Sequence, residues 1–137
     1  MPNLLVRDLM TEKLFTVRPE HDLAHLNDMM AEMHVRHMPV VDEDGALVGL
    51  VSQRDLLRTA MDPAGMLPVS EQRELLRNTR VREIMTVEVE TATPDTDIAE
   101  AGNLMLENKL GCLPVVEGDQ LVGILTESDF VKYVVRE

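Results

Sequence analysis

The sequence predicts a mixed α/β (α+β) protein built from two β-α-β-β-α repeats packed with pseudo-twofold symmetry. Two observations carry this. The first is an internal duplication: Val6-Arg7-Asp8-Leu9-Met10-Thr11 recurs as Val81-Arg82-Glu83-Ile84-Met85-Thr86. The same spacing pairs Thr16 with Thr91, Pro19 with Pro94, Asp22 with Asp97, Ala24 with Ala99, Met30 with Met105, and Pro39-Val40-Val41 with Pro114-Val115-Val116. After Asp42-Glu43-Asp44-Gly45, answered by the shorter Glu117-Gly118-Asp119, the spacing shortens by one residue. It then pairs Leu47-Val48-Gly49 with Leu121-Val122-Gly123, Ser52 with Thr126 and Asp55 with Asp129. A one-residue change at a turn is where a duplicated hairpin tolerates it. The second observation is that each copy switches from helical to strand periodicity in the same order.

Each copy opens with a short turn around its Met-Thr, followed by an extended piece over residues 14–17 or 87–92 that ends before Pro19 or Pro94. Asp22 and Asp97 are suited to cap the helices that follow, in which Leu23, Leu26, Met30 and Met33, and Ile98, Ala101 and Met105, recur at helical spacing. Residues 38–41 and 47–51 form a hairpin, as do 113–117 and 121–125. A final helix covers about residues 53–60 in the first copy and 127–135 in the second. Between the copies, Asp62-Pro63-Ala64-Gly65 and Pro68 break structure, and a linker helix runs from Ser70 to Asn78. The expected division is therefore a first repeat over 1–61, a linker over 62–79 and a second repeat over 80–137. One copy leaves an apolar face uncovered, so the two are expected to pack together and form two equivalent clefts.

Composition narrows the function. With 137 residues, 45% of them hydrophobic, the chain can bury an ordinary core. Thirteen Lys and Arg against 25 Asp and Glu give a net charge of −12, which repels a phosphate backbone and argues against a nucleic-acid partner. Small anions remain possible ligands, because backbone N–H groups with one cation can bind phosphate in an acidic protein. The single cysteine, Cys112, excludes an intrachain disulfide. No apolar run approaches the roughly 18 residues of a membrane span, so the reading is a cytoplasmic chain without a membrane partner. No nucleophile with a base, paired carboxylates, or Walker or Rossmann loop stands in the sequence, and no catalytic residue or catalytic cofactor is assigned.

The candidate site is Gly-h-h-Ser/Thr-x-x-Asp, where h is apolar: Gly49 to Asp55 and Gly123 to Asp129. Its hydroxyl falls at a strand-to-helix junction, where it can cap the helix or meet an anion. A carboxylate one turn on can accept hydrogen bonds from vicinal ribose hydroxyls. The alternative is structural: Ser52 and Thr126 are N-caps, and Asp55 and Asp129 favour the helix dipole.

These features together, with the Val-Arg-Asp-Leu-Met-Thr and Val-Arg-Glu-Ile-Met-Thr openings and the Pro-Val-Val strands, resemble the cystathionine β-synthase (CBS) domain pair, or Bateman module, over almost the whole chain. The resemblance implies a regulatory module whose adenosine-type ligand, AMP or ATP ahead of S-adenosylmethionine, shifts its geometry for a separate regulated protein to read. It implies ribose at Asp55 and Asp129, with Ser52 and Thr126 near ribose or phosphate. It also implies adenine read by backbone around Leu14 and Thr16, and around Val89 and Thr91. Phosphate would be approached by Arg36 and His37 in the first copy. The second has Gly111 and Cys112 there, with Lys109 in compensation. Arg36 and His37 can equally be a solvated helix end. By the same resemblance, two chains form a homodimeric disc of four repeats.

The rival reading is a ligand-free dimerisation module. A metal reading rests on His21/His25 and His34/His37, spaced so that two imidazoles share a helix face, but no Glu completes a His-Glu-x-x-His pattern. The ten methionines read as core filling, with Met29, Met30, Met33, Met38 and Met105 at core-like positions.

Overall fold

A computed structural model describes residues 3–60 and 68–136, so the expected break at Asp62 to Gly65 lies outside the described residues. The chain runs α1 (Val6–Leu9), α2 (Leu23–Met33), β1 (His37–Val41), β2 (Leu47–Ser52), α3 (Gln53–Ala60), α4 (Val69–Asn78), α5 (Val81–Ile84), α6 (Ile98–Asn108), β3 (Cys112–Glu117), β4 (Gln120–Thr126) and α7 (Glu127–Arg136). Both aspartate caps form. Asp22 accepts the N–H of His25 at 2.8 Å and Asp97 that of Ala99 at 2.9 Å, satisfying donors that a helix start leaves unpaired. Both helices stop the same way, at left-handed His34 (φ 56°) and Lys109 (φ 54°). The next N–H then returns to an earlier carbonyl, Val35 to Met30 and Leu110 to Met105.

Each hairpin is a two-stranded antiparallel sheet, β1 with β2 and β3 with β4. Val40 faces Gly49 while Val41 faces Leu47, which leaves Val48 as an extra, bulged residue; Val122 is extra in the same place. The expected leading strand of each repeat is reduced to a single parallel bridge, Val17 to Val40 and Ala92 to Val115. Prolines explain why. Val17 N–H donates to Pro39 O and Val17 O accepts from Val41 N–H. Extending that ladder one step either way needs an N–H on Pro39 or on Pro19, and neither has one. Pro114 and Pro94 bracket Ala92 identically.

Two compact units result: one is Phe15–Glu88, and the other joins Met1–Leu14 to Val89–Glu137. Each sequence repeat therefore gives its opening segment to the unit that holds the other repeat's sheet. In the first unit Val81 N–H donates to His21 O, Arg82 N–H to Pro19 O, and Leu23 N–H to Thr79 O. In the second, Val6 N–H donates to Thr96 O, Arg7 N–H to Pro94 O, and Ile98 N–H to Leu4 O. The exchanged valines are fully buried. Val81 joins Val17, Leu23, Leu26, Met30, Met38, Val40, Val51 and Leu56 in one core. Val6 joins Ala92, Ala101, Met105, Leu113, Val115 and Leu125 in the other. The linker helix α4 is part of the first core through Leu76. Met30, Met38 and Met105 are buried, and Met29 packs against the core that holds Met30 and Met38, in keeping with a core role.

Candidate functional site

At the end of β2 the chain passes directly into α3, and Ser52 and Asp55 close on each other across the junction. Asp55 Oδ2 accepts the Ser52 N–H at 3.0 Å and its hydroxyl at 2.8 Å, while Ser52 Oγ accepts the Asp55 N–H at 3.1 Å. This is a reciprocal capping box with an aspartate as its acid. The structural role considered for these residues is thus filled, and among the described residues no hydrogen bond uses Asp55 Oδ1, an acceptor beside the positive end of α3. Register brings two further candidates to the same place: His37 is the cross-strand partner of Ser52, and Arg36 O accepts the Gln53 N–H at 2.8 Å.

The second unit repeats the two bonds to the acid, but among the described residues the return bond is missing and Thr126 Oγ1 pairs instead with Ser128 Oγ at 2.8 Å. Asp129 Oδ2 accepts the Thr126 N–H at 2.9 Å and its hydroxyl at 3.1 Å. The hydroxyl of Thr11 donates to Asp129 Oδ1 at 2.9 Å. Asp129 is 7% exposed, the one buried charged residue among those described. Cys112 faces Thr126 where His37 faces Ser52. Burial pushes the Cys112 thiol up to about 12, so it is neutral at physiological pH. Lys109 matches His34 as the left-handed helix cap and is exposed.

Leu14, Thr16, Val89 and Thr91 flank the Val17 and Ala92 bridges, and no hydrogen bond joins them to the Ser52/Asp55 or Thr126/Asp129 boxes among the described residues. Neither histidine pair lies wholly within a helix, which the shared-face spacing requires. His34 caps α2 and His37 lies in β1, so the two do not share a helix, because the chain reverses hand at His34. His21 lies before α2, its Nδ1 accepting the Arg18 N–H at 3.0 Å, and its ring is 4.4 Å from that of His25. No group of three or more potential metal ligands is found among the described residues.

Thr11 was not legible as part of the site. Its signal was present, because Met10-Thr11 recurs as Met85-Thr86, but the repeat alone does not show that the segment folds onto the other repeat's helix junction.

The paired helix-capping boxes on duplicated hairpins define a class of tandem-repeat module. Its family follows from comparison with known proteins. The CBS domain profile matches residues 6–62 and 81–136, and the chain belongs to the CBS domain family. It is 30% identical to MJ1426 of Methanocaldococcus jannaschii over 96% of this chain and 92% of that one. Other relatives are much longer. The chain spans 20% of an inosine-5'-monophosphate dehydrogenase of Mycobacterium tuberculosis, at 34% identity over 85% of its own length. Among solved structures, CBSX2 in complex with AMP matches at TM-score 0.82 and 27% identity, covering 96% of this chain and 97% of that one. The CBS domain pair of MJ0100, in complex with 5'-methylthioadenosine and S-adenosyl-L-methionine, matches at TM-score 0.80 and 25% identity, covering 98% of each. No helix among the described residues is long and apolar enough to cross a membrane.

Proposed function

We propose that this chain is a non-enzymatic regulatory module that binds an adenosine-containing nucleotide, AMP or ATP, and passes its occupancy on as a change of conformation. The observation that supports this most directly is the capping box of Ser52 and Asp55, which fixes a carboxylate at a helix start through one oxygen and leaves the other unspent among the described residues. Two vicinal ribose hydroxyls are donors suited to such a group. Arg36 and His37 beside Ser52 supply the cation and donor that a 5′ phosphate needs. Binding to CBSX2 and MJ0100 of ligands that share adenosine agrees with this choice. The adenine is assigned to backbone near Leu14, Thr16, Val89 and Thr91 on family resemblance. Ligand binding without a reacting group does work only through its differential affinity for two arrangements, which a partner protein then reads.

Calorimetric titration with AMP, ADP, ATP and S-adenosylmethionine tests the reading, with saturable binding of a phosphate-bearing ligand expected. Absence of heat with all four overturns it. A second reading, homodimerisation without ligand, is favoured by exposed apolar side chains on α3 and α7: Leu57, Val131, Val134 and Val135. Sedimentation with and without AMP separates the two.

A further inference from the structure

We propose that the two Ser/Thr–Asp boxes are unequal because the chain closes one of them itself: Thr11, on the N-terminal segment, holds the Asp129 oxygen that a ribose hydroxyl would need, and Ser52/Asp55 is the working site. This deepens the nucleotide reading and rests on it. The inequality at the second carboxylate oxygen does not come from the boxes: the bonds they share match to within a few tenths of an ångström, and their one difference, Ser52 Oγ accepting the Asp55 N–H where Thr126 Oγ1 pairs with Ser128 Oγ, does not involve Oδ1. It comes from the segments laid beside them. Thr11 exchanges both backbone hydrogen bonds with Ile124, at 2.8 and 3.0 Å, and Met10 packs against Gly123. The hydroxyl of Thr11 is therefore aimed at Asp129 by an anchored backbone. Thr86 makes the same backbone bridge, with Leu50 at 2.9 and 2.8 Å. Yet Thr86 is exposed, and no hydrogen bond joins it to Asp55 among the described residues.

A second difference points the same way. Where the first copy carries Arg36 and His37, the second carries Gly111 and buried Cys112, which offer a phosphate no cationic side chain. A ligand at Asp129 would have to compete with the Thr11 hydroxyl for an oxygen of a carboxylate already out of solvent, and a hydroxyl displaced there would need a new partner. Docking of the N-terminal segment and occupancy of Asp129 thus oppose each other, and linkage requires the opposition to act in both directions.

Counting AMP sites on the full chain by calorimetry tests this. One site per chain is expected in the wild type, lost in Asp55→Asn and kept in Asp129→Asn. Thr11→Val keeps the β-branched shape and the backbone bridge without the donor, and is expected to add a second site. Thr11→Ser keeps the donor and is expected to stay at one. Thr11→Ala gives the same readout should valine pack poorly. A single unchanged site in both Thr11→Val and Thr11→Ala overturns the closure and leaves the nucleotide reading standing, as do two equal sites in the wild type or a single site lost only in Asp129→Asn. No AMP binding to the wild type or to either hydroxyl-free variant overturns both.

Discussion

His21 both receives the exchanged segment and braces the turn that receives it: its carbonyl accepts the Val81 N–H at 2.8 Å, and its imidazole accepts the Arg18 N–H at 3.0 Å. The second repeat does the same with a hydroxyl, since Thr93 N–H donates to Thr96 Oγ1 at 3.0 Å. Only the first version titrates.

Burial lowers the His21 pKa below 6.5, helped by neighbouring His25 and Arg18 and opposed by Glu20 and Asp22. Below about pH 6.5 the unfolded chain takes up a proton that the folded chain resists. The unfolded state then binds more protons, so stability is present above that pH and is lost as pH falls through the lowered value. Urea midpoints measured from pH 8 to pH 5 are expected to fall on the acid side. His21→Thr, borrowing the chemistry of Thr96, is expected to flatten that limb, and an unchanged limb contradicts the role given to His21.

Gly49 and Gly123 allow the exchanged Met-Thr segments to come close. A Cβ on Gly49 would lie 2.7 Å from Met85 Sδ and 3.1 Å from the Thr86 carbonyl; on Gly123 it would lie 2.7 Å from Met10 Sδ and 3.3 Å from the Thr11 carbonyl. The sulfur can move, but the carbonyls belong to the bridges. Gly49→Ala is expected to destabilise by about 1–3 kcal/mol. The loss should be smaller in a Met85→Ala background, because neighbouring sites are not additive. Denaturant unfolding of the four-member cycle reads both.

Cys112 gives an alkaline counterpart. Its thiol stays protonated in the fold up to about 12, against 9.0 as the ordinary value. From about pH 9 upward the unfolded chain loses a proton that the folded chain keeps, so stability falls with rising pH until the folded value is passed. At pH 8 a thiol reagent should label Cys112 no faster than the chain opens, and labelling at the rate of a free thiol would contradict its burial.

The left-handed caps are expected to be improvable. Non-glycine residues at that conformation cost about 1 kcal/mol, and His34 (φ 56°) and Lys109 (φ 54°) both hold it. His34→Gly is expected to raise stability by up to about that much, read as a higher melting temperature.

Helices, hairpins and their boundaries were legible because local chemistry sets them: Asp22 and Asp97 as caps, and alternating apolar residues on either side of acidic turns. The reduced leading strand was half legible. Pro19 and Pro94 marked its end, but only the register shows that Pro39 and Pro114 remove the donor on the other side. The exchange of opening segments was not legible, because Val6 to Thr11 and Val81 to Thr86 are near-copies and carry no local sign of which sheet they join. Thr11 and Asp129 lie 118 residues apart, and that contact exists only through the exchange.

The most direct test of nucleotide binding at Ser52 and Asp55 is to follow backbone amide resonances while AMP is added. The largest shifts are expected at residues 52–55 and at Arg36 and His37, and they should vanish in Asp55→Asn, whose amide oxygen can still accept the Ser52 N–H. Saturating AMP that leaves those amides unmoved, or moves them equally in Asp55→Asn, would contradict it.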